Sequence, residues 1–384
     1  MTRLKSRPIL PVLLAILLGN AVRCPAVAAY PVQDKAGKIA TVSSATTIDP
    51  RLQKIVEEEL EKAEAELHPQ KIIAIFADPN TGKILAMASR SEWPGKYGQA
   101  REKVSNEAIS FCFEPGSTFK MVVCAGFLKE GLGDEDTKIF CENGSFACKG
   151  KTIKDHKPYG DLTPLEILVK SSNIGSAKMG LTLGAEKFCA TVSSFGFGRK
   201  TGIELPGESE GTLIPADRVD ELVLSRMALG QVVGVTPIQV LMAYAAIANG
   251  GILYPPTLVS DPKALKPTGI RILPEPIAAF IAEALVLSAP DLAQVDGISV
   301  AGKTGTMQAI APDGSYAKDQ YVTSFAGYFP AENPKFVGVV VVDRASVDKK
   351  INYGSLIAAP IFSNIVSASL LSKSHPPDAD SSDR

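Results

Sequence analysis

At 384 residues and 45% hydrophobic content, the chain can bury a large core, enough for one catalytic domain of about 300 residues. Its 40 Lys and Arg against 41 Asp and Glu leave a net charge of -1, which excludes the bulk charge footprint of a nucleic-acid binder or of a protein that seeks polyanions. His68, His156 and His375 stand apart with no His-Glu-x-x-His, and no cysteine spacing suits zinc, which argues against a metallohydrolase, and neither metal nor cofactor is expected.

The first 28 residues have the form of an export signal. Arg3, Lys5 and Arg7 make a positive end, Ile9 to Gly19 an apolar core, and Ala26-Val27-Ala28 an Ala-x-Ala site, so cleavage after Ala28 is expected. An uncleaved anchor is the weaker reading, because Pro11, Asn20 and Arg23 interrupt a run already short for a membrane span. Arg23 also departs from the small residue that lipidation of Cys24 requires. Either form puts the catalytic part outside the cytoplasmic membrane, in the periplasm or at the membrane's outer face. Residues 29–46 read as a linker, 47–373 as the catalytic domain, and 374–384, rich in Pro, Asp and Ser, as a disordered tail.

Pro50 opens an amphipathic helix in which Leu52, Ile55, Val56, Leu60, Ala63 and Leu67 recur at helical spacing. Lys71 to Asp78 and Lys83 to Ser89, joined at Pro79-Asn80-Thr81-Gly82, read as a hairpin that supplies the first two strands of a central sheet. Next comes Glu114-Pro115-Gly116-Ser117-Thr118-Phe119-Lys120, where Pro115 and Gly116 turn the chain into a helix that continues to Gly131. Ser117 sits in its first turn. Residues three apart share a helix face, so Lys120 can reach the Ser117 hydroxyl, and the positive helix end, roughly half a unit charge, favours a developing alkoxide. The other Ser-x-x-Lys pairs, at Ser260, Ser315 and Ser346, lie in a proline loop, a turn and a strand end, and none opens a helix.

Between Gly131 and Gly160 runs a loop with Cys141 and Cys148, for which a small disulfide is favoured in an oxidising compartment. Cys112, Cys124 and Cys189 lie in apolar surroundings and read as buried thiols. Thr163-Pro164-Leu165-Glu166 combines an N-cap, a first-position proline and a capping-box glutamate, starting a helix that carries Ser171 and Asn173. Lys200-Thr201-Gly202 sits in a glycine-punctuated loop with no strand edge, so Lys200 reads as a surface residue. Thr236 to Gln239 repeats the helix-start signal, the helix ending at Asn249-Gly250; another helix follows near Pro276 to Leu287. Strands are expected at Ile298 to Ala309, Val322 to Phe329 and Phe336 to Asp343. A closing helix from about Ala358 to Leu371 holds Pro360 in its first turn, with Ile361, Ile365 and Leu370 on the sheet. Two strands, a helical middle, three strands and a last helix imply an α/β sandwich, a five-stranded antiparallel sheet covered by helices on both faces.

In order, Ser117-Thr118-Phe119-Lys120, Ser171-Ser172-Asn173 and Lys303-Thr304-Gly305 form the Ser-x-x-Lys, Ser-x-Asn and Lys-Thr-Gly signature of penicillin-recognising serine acyl enzymes. Together with Leu229-Gly230-Gln231, Val235-Thr236-Pro237-Ile238-Gln239, Ala248-Asn249-Gly250-Gly251 and Thr306, the chain from Thr47 to Ser369 resembles the transpeptidase domain of class B penicillin-binding proteins. The resemblance implies a serine β-lactamase-like fold and cross-linking of peptidoglycan stem peptides in division or elongation, within a cell-wall synthesis complex, with β-lactams as covalent inhibitors. It implies Ser117 as nucleophile, Lys120 as general base, Ser171 as proton relay, Asn173 as orienting group, and Lys303, Thr304, Gly305 and Thr306 as the carboxylate-binding strand. Lys303 is the natural cation to keep Lys120 neutral, which at pH 7 takes roughly 4 kcal/mol of differential interaction.

Two other readings share these motifs. A serine β-lactamase needs a deacylating base, for which the Pro- and Gly-rich settings of Glu204, Glu208 and Glu210 give no sign. A β-lactam sensor or inactive scaffold fits poorly with intact Lys120, Asn173 and Lys303. One departure from the family is expected: only about 20 residues lie between the cleavage site and the first domain helix, too few for the usual pedestal domain.

Overall fold

The computed structural model describes residues 46–91, 106–260, 268–289, 291–295, 297–347 and 352–374. The export signal, nearly all of the linker and the tail beyond residue 374 lie outside the described residues. The first half contains α1 (Pro50–Leu67), β1 (Lys71–Ala77), β2 (Ile84–Ser91), α2 (Glu107–Ser110), α3 (Lys120–Lys129), β3 (Ile139–Phe140), β4 (Ser145–Cys148), β5 (Lys151–Lys154), β6 (Asp161–Leu162), α4 (Pro164–Val169) and α5 (Asn173–Leu183). The second contains α6 (Ala185–Ser194), α7 (Glu221–Met227), α8 (Pro237–Ala248), β7 (Ile252–Leu253), β8 (Ile270–Arg271), α9 (Glu275–Ser288), β9 (Ala301–Ile310), β10 (Tyr316–Phe329), β11 (Phe336–Asp343) and α10 (Ala358–Ser374).

β2, β1, β11, β10 and β9 lie side by side in one antiparallel sheet, with β9 at an edge. Alternation along each strand sorts its side chains. Ile73, Ile75, Val339 and Val341 point into the helical layer around α3 and α8, whereas Ile72, Ala74, Phe76, Val340 and Val342 point to α1 and α10. A strand covered on both faces has no reason to alternate in polarity, so β11 runs from Phe336 through five valines and Gly338 with no polar residue before Asp343. The two-sided sheet foreseen from the sequence is therefore the sheet observed.

Local signals explain the helix starts. Asp49 accepts hydrogen bonds from the N–H groups of Arg51 and Leu52 at 2.8 and 3.1 Å, with Pro50 in the first position of α1. Thr163 with Glu166, and Thr236 with Gln239, form complete capping boxes at α4 and α8. α8 is buried on almost every side, and its Tyr244 hydroxyl donates to the Thr118 carbonyl at 3.0 Å, joining the centre of the helical layer to the Ser117 turn.

Several expectations need correction. Ile298 to Val300 is not strand; β9 starts at Ala301, and β10 starts at Tyr316 rather than Val322. The Thr163 helix stops at Val169, so Ser171 stands in the break between two helices and Asn173 opens the second. Cys141 and Cys148 are free thiols. The Cys141 sulfur lies 3.5 Å from both the Ile139 carbonyl and the Ser172 hydroxyl. The β4 strand carries Cys148 away to face the Glu221 carbonyl at 3.9 Å. Cys124 and Cys189 are buried as expected, but Cys112 is exposed, its sulfur 3.1 Å from the Ser209 hydroxyl.

Phe362 of α10 is fully buried, with its ring 5.6 Å from Phe76, 4.7 Å from Phe325 and 6.0 Å from Phe329. Phe362→Ala is expected to cost about 3–5 kcal/mol in denaturant unfolding. Leu287→Ala, at a position 55% exposed, should stay within about 0.5 kcal/mol of the parent.

Candidate active site

Ser117 lies in a 3-10 turn, Gly116–Phe119, that runs directly into α3, rather than in the first turn of an α-helix. The turn is wedged between two other segments. The Gly116 N–H donates to the Gly230 carbonyl at 3.1 Å, and both glycines hold left-handed φ, +55° and +74°. A Cβ on Gly230 would stand 2.3 Å from the Gly116 oxygen, and one on Gly116 would stand 2.8 Å from Met307 Cγ in β9. Only glycine lets the Ser117 turn approach this closely.

Lys120 is fully buried. Its Nζ lies 2.7 Å from the Ser171 carbonyl, 2.7 Å from Asn173 Oδ1 and 3.3 Å from Ser171 Oγ. Ser171 Oγ in turn is 3.0 Å from Ser117 Oγ. Among the described residues no direct hydrogen bond joins Lys120 to Ser117; the Ser171 hydroxyl stands between them. The geometry suits a neutral amine. The two short contacts are to carbonyl oxygens that can only accept, so they take two N–H protons, and the lone pair is left for the one neighbour that can donate, the Ser171 hydroxyl. Burial first, and then the nearby Lys303 cation, hold Lys120 well below the ordinary lysine range, against a smaller opposing pull from Asp155.

Ser171 adopts a left-handed φ of +55°, rare for a residue with a side chain. Its neighbours hold it there. The Ser171 and Ser172 N–H groups donate to the carbonyls of Leu168 and Ile167, closing α4. Asp155, which the sequence reading passed over, anchors the start of α5: its carboxylate accepts from the backbone N–H of Asn173 and Ile174 and, at 2.6 Å, from the Ser172 hydroxyl. A carboxylate at a helix start also complements the helix dipole. Asn173 Nδ2 donates to the Lys154 carbonyl at 2.9 Å, so the amide that faces Lys120 is gripped at both ends.

Lys303 extends from β9 and is only 5% exposed; burial lowers its amine to about 8. Strand alternation puts Thr304 and Thr306 on the other face, where the Gly354 N–H donates to Thr306 Oγ1 at 2.9 Å. Gly305 fits against the Ser117 turn, where a Cβ would stand 2.6 Å from the Pro115 carbonyl. All three motifs thus converge, with Ser117, Lys120, Ser171 and Asn173 in one hydrogen-bonded cluster and Lys303 close enough to act on it.

The remaining candidates lie elsewhere in the fold. The Glu204 carboxylate accepts from the Thr257 hydroxyl and the Leu258 N–H, and Glu208 accepts from Thr201 and Gly202. The Glu210 carbonyl accepts from the Gln239 amide. None of these glutamates bonds to the Ser117 cluster. Lys200 is exposed on its loop, as expected. Ser315 is tied to Asp313 in the turn between β9 and β10, and the Ser346 N–H donates to the Leu67 carbonyl; Lys263 and Lys349 lie outside the described residues. Among the described residues no group of three or more His, Cys, Asp or Glu could hold a metal ion.

Residues 72–367 match the family description "Penicillin binding protein transpeptidase domain". The chain is 36% identical to stage V sporulation protein D of Bacillus subtilis, with 84% of this chain and 53% of that protein covered. It is 33% identical to peptidoglycan D,D-transpeptidase FtsI of Escherichia coli, with coverage of 87% and 57%. It thus spans about half the length of the curated relatives it matches. Among solved structures, the transpeptidase domain of penicillin-binding protein 3 from Burkholderia pseudomallei superposes with TM-score 0.77 at 28% identity, covering 88% of this chain and 98% of that one. Penicillin-binding protein 3 of Mycobacterium tuberculosis, solved with aztreonam, superposes with TM-score 0.75 at 29% identity, covering 86% and 78%.

Removing the Asp155 carboxylate should loosen Ser172 and Asn173 together. Asp155→Ala is expected to slow acylation of Ser117 by a reactive β-lactam by about a hundredfold, and Asp155→Asn, which keeps an acceptor oxygen, by about tenfold, read as the rate of mass increase of the intact protein.

Proposed function

The chain belongs to the transpeptidase-domain family of penicillin-binding proteins, and from that membership we propose that it is a peptidoglycan D,D-transpeptidase working through a Ser117 acyl-enzyme. The observation that carries this reading is the unbroken line from Ser117 Oγ through Ser171 Oγ to Lys120 Nζ, at 3.0 and 3.3 Å. Hydroxyl protons rotate freely, so the line runs equally well with Ser117 as donor. Ser117 passes its proton to Ser171, Ser171 passes its own to the neutral Lys120, and the Ser117 oxygen attacks the carbonyl of the penultimate D-alanine. The oxyanion is received by the backbone N–H groups of Ser117 and Thr306, an arrangement commonly worth about a hundredfold to a thousandfold in rate. Thr304 and Thr306 bind the terminal carboxylate from one face of β9, and the charge on Lys303 attracts it from the other.

As the tetrahedral intermediate collapses, the C–N bond breaks, and the proton stored on Lys120 returns through Ser171 to the departing D-alanine amine. The amine of a second stem peptide then attacks the ester carbonyl and gives up its proton along the same path, restoring Ser117 and leaving the cross-link. Hydrolysis of the ester in place of this transfer needs a base to activate water. Asp155 is committed to Ser172, Asn173 and Ile174, and Glu204 and Glu208 are committed to their own loops, which favours a persistent acyl-enzyme over a β-lactamase. The aztreonam complex of the M. tuberculosis relative supports β-lactams as covalent inhibitors here too. Export to the outer face of the membrane and a place in a wall-synthesis complex belong to the same proposal. No helix of the described residues is long and apolar enough to cross a membrane.

Intact-mass measurement after mixing with benzylpenicillin tests the reading. A long-lived adduct on the parent and none on Ser117→Ala is expected; rapid loss of the adduct with drug turnover favours a β-lactamase, and no Ser117-dependent adduct on folded protein rejects the acyl-enzyme. The pH profile gives a second test. Lys120 acts when neutral and Lys303 when charged, so acylation should rise with pH across the lowered Lys120 range and fall as Lys303 loses its proton near about 8. Lys303→Arg, which keeps its charge throughout, should abolish the alkaline fall.

A further inference from the structure

Glu114, three residues before Ser117, has a side chain with no part in the proton path, yet it is only 8% exposed and fully occupied. Its carboxylate accepts from the Val232 N–H at 2.7 Å and from the Tyr316 hydroxyl at 3.0 and 3.1 Å to its two oxygens. These donors come from two separate segments. Val232 follows Gly230 in the loop that presses on the nucleophile turn, and Tyr316 opens β10 opposite Ile310, at the far end of the β9 strand that carries Lys303 to Thr306.

Val232 holds φ at +58°, an unfavourable conformation for a β-branched residue, which persists only when its surroundings impose it. The loop is fixed on either side of this point, by the Gly116 to Gly230 bond and by paired backbone bonds between Phe113 and Val235 at 3.0 and 2.9 Å. Between these anchors the Glu114 carboxylate takes the Val232 N–H that the strained turn directs outward. Bonds to an ionised acceptor are roughly twice as strong as neutral ones. Burial raises the Glu114 carboxyl above its ordinary range and pushes the Tyr316 hydroxyl up to about 12; Arg226, on α7, is the cation facing Tyr316.

We infer that Glu114 is a positioning residue for acylation, a latch that fixes the Ser117 turn against both the Gly230 loop and the β9–β10 hairpin, and so sets the nucleophile's place relative to the strand that holds the substrate carboxylate. The Gly230 loop and the β9–β10 hairpin come from distant parts of the chain, and Glu114 grips both from two residues before the turn. The latch acts on the geometry of attack rather than on first binding. This assignment rests on the acyl-enzyme reading above.

The test is the acylation of the full chain by a fluorescent penicillin over a range of concentrations, which separates the limiting rate constant from the half-saturation concentration. Glu114→Ala should lower the limiting rate by about tenfold or more with a much smaller change in half-saturation. Glu114→Gln keeps an oxygen that accepts from both donors and should recover to within about threefold of the parent, and Tyr316→Phe, which removes one arm at a half-exposed side chain, should lose about threefold. A folded Glu114→Ala with the parent's limiting rate, or a Glu114→Gln as impaired as Glu114→Ala, overturns the latch. Should Glu114→Ala fail to fold, Tyr316→Phe decides: a parental limiting rate overturns the assignment and a selective fall in that rate supports it. A parent protein that forms no adduct at all rejects the function proposed above, a result distinct from any of these.

Discussion

A fully buried amine draws on oxygens of the protein, and Lys120 makes that demand at the centre of this fold. Two carbonyl oxygens and one hydroxyl answer it, all from Ser171 and Asn173. To present them together the chain must stop one helix, pass through a left-handed serine and begin another, and that break is held by Asp155 across the helix start. A second buried amine, Lys303, enters from the sheet side and adds repulsion that keeps the first one neutral. Both amines therefore lie where the sheet meets the helical layer, and each side is supported from behind: α8 behind the Ser117 turn, α10 behind the sheet.

That stiffness comes from ordinary packing. Phe362 and its three aromatic neighbours close one face of the sheet, and the apolar alternation of β1 and β11 closes both. Rigid support is what allows unfavourable local states, such as positive φ at Ser171 and Val232, to persist at the joint between the layers.

Patterns local in sequence were legible in the chain itself. The two capping boxes, the first hairpin, the valine strand and the proline in the first turn of α10 all depend on neighbours a few residues away, and each lies where the pattern puts it. The three motifs were legible as a set because their residue types and order recur in a known family. What depends on contacts between distant segments was not. A helical pattern runs through Lys170 to Ile174, and only Lys120, 51 residues away, shows why it breaks there. Asp155 looked like one more charge in a polar loop, and Glu114 like the residue before a turn, because their donors lie on other segments. The spacing of Cys141 and Cys148 suggested a bridge, but spacing carries no information about direction, and the thiols turn to Ser172 and Glu221.

The strand that carries Lys303 lies at an edge of the sheet, and the proposed reaction requires that one side of it stay open. Such an edge is a template for any extended chain, including a second copy of the same protein, so the opening that admits substrate also invites self-association. The pairing of β9 with β10 shifts register between Tyr316 and Tyr321, which interrupts the ladder of the outer hairpin, and the Gly354 N–H bonds to Thr306 on one face of β9. In the proposed function a substrate lying along β9 takes up the backbone groups that another chain would seek, so bound substrate would compete with edge-to-edge pairing.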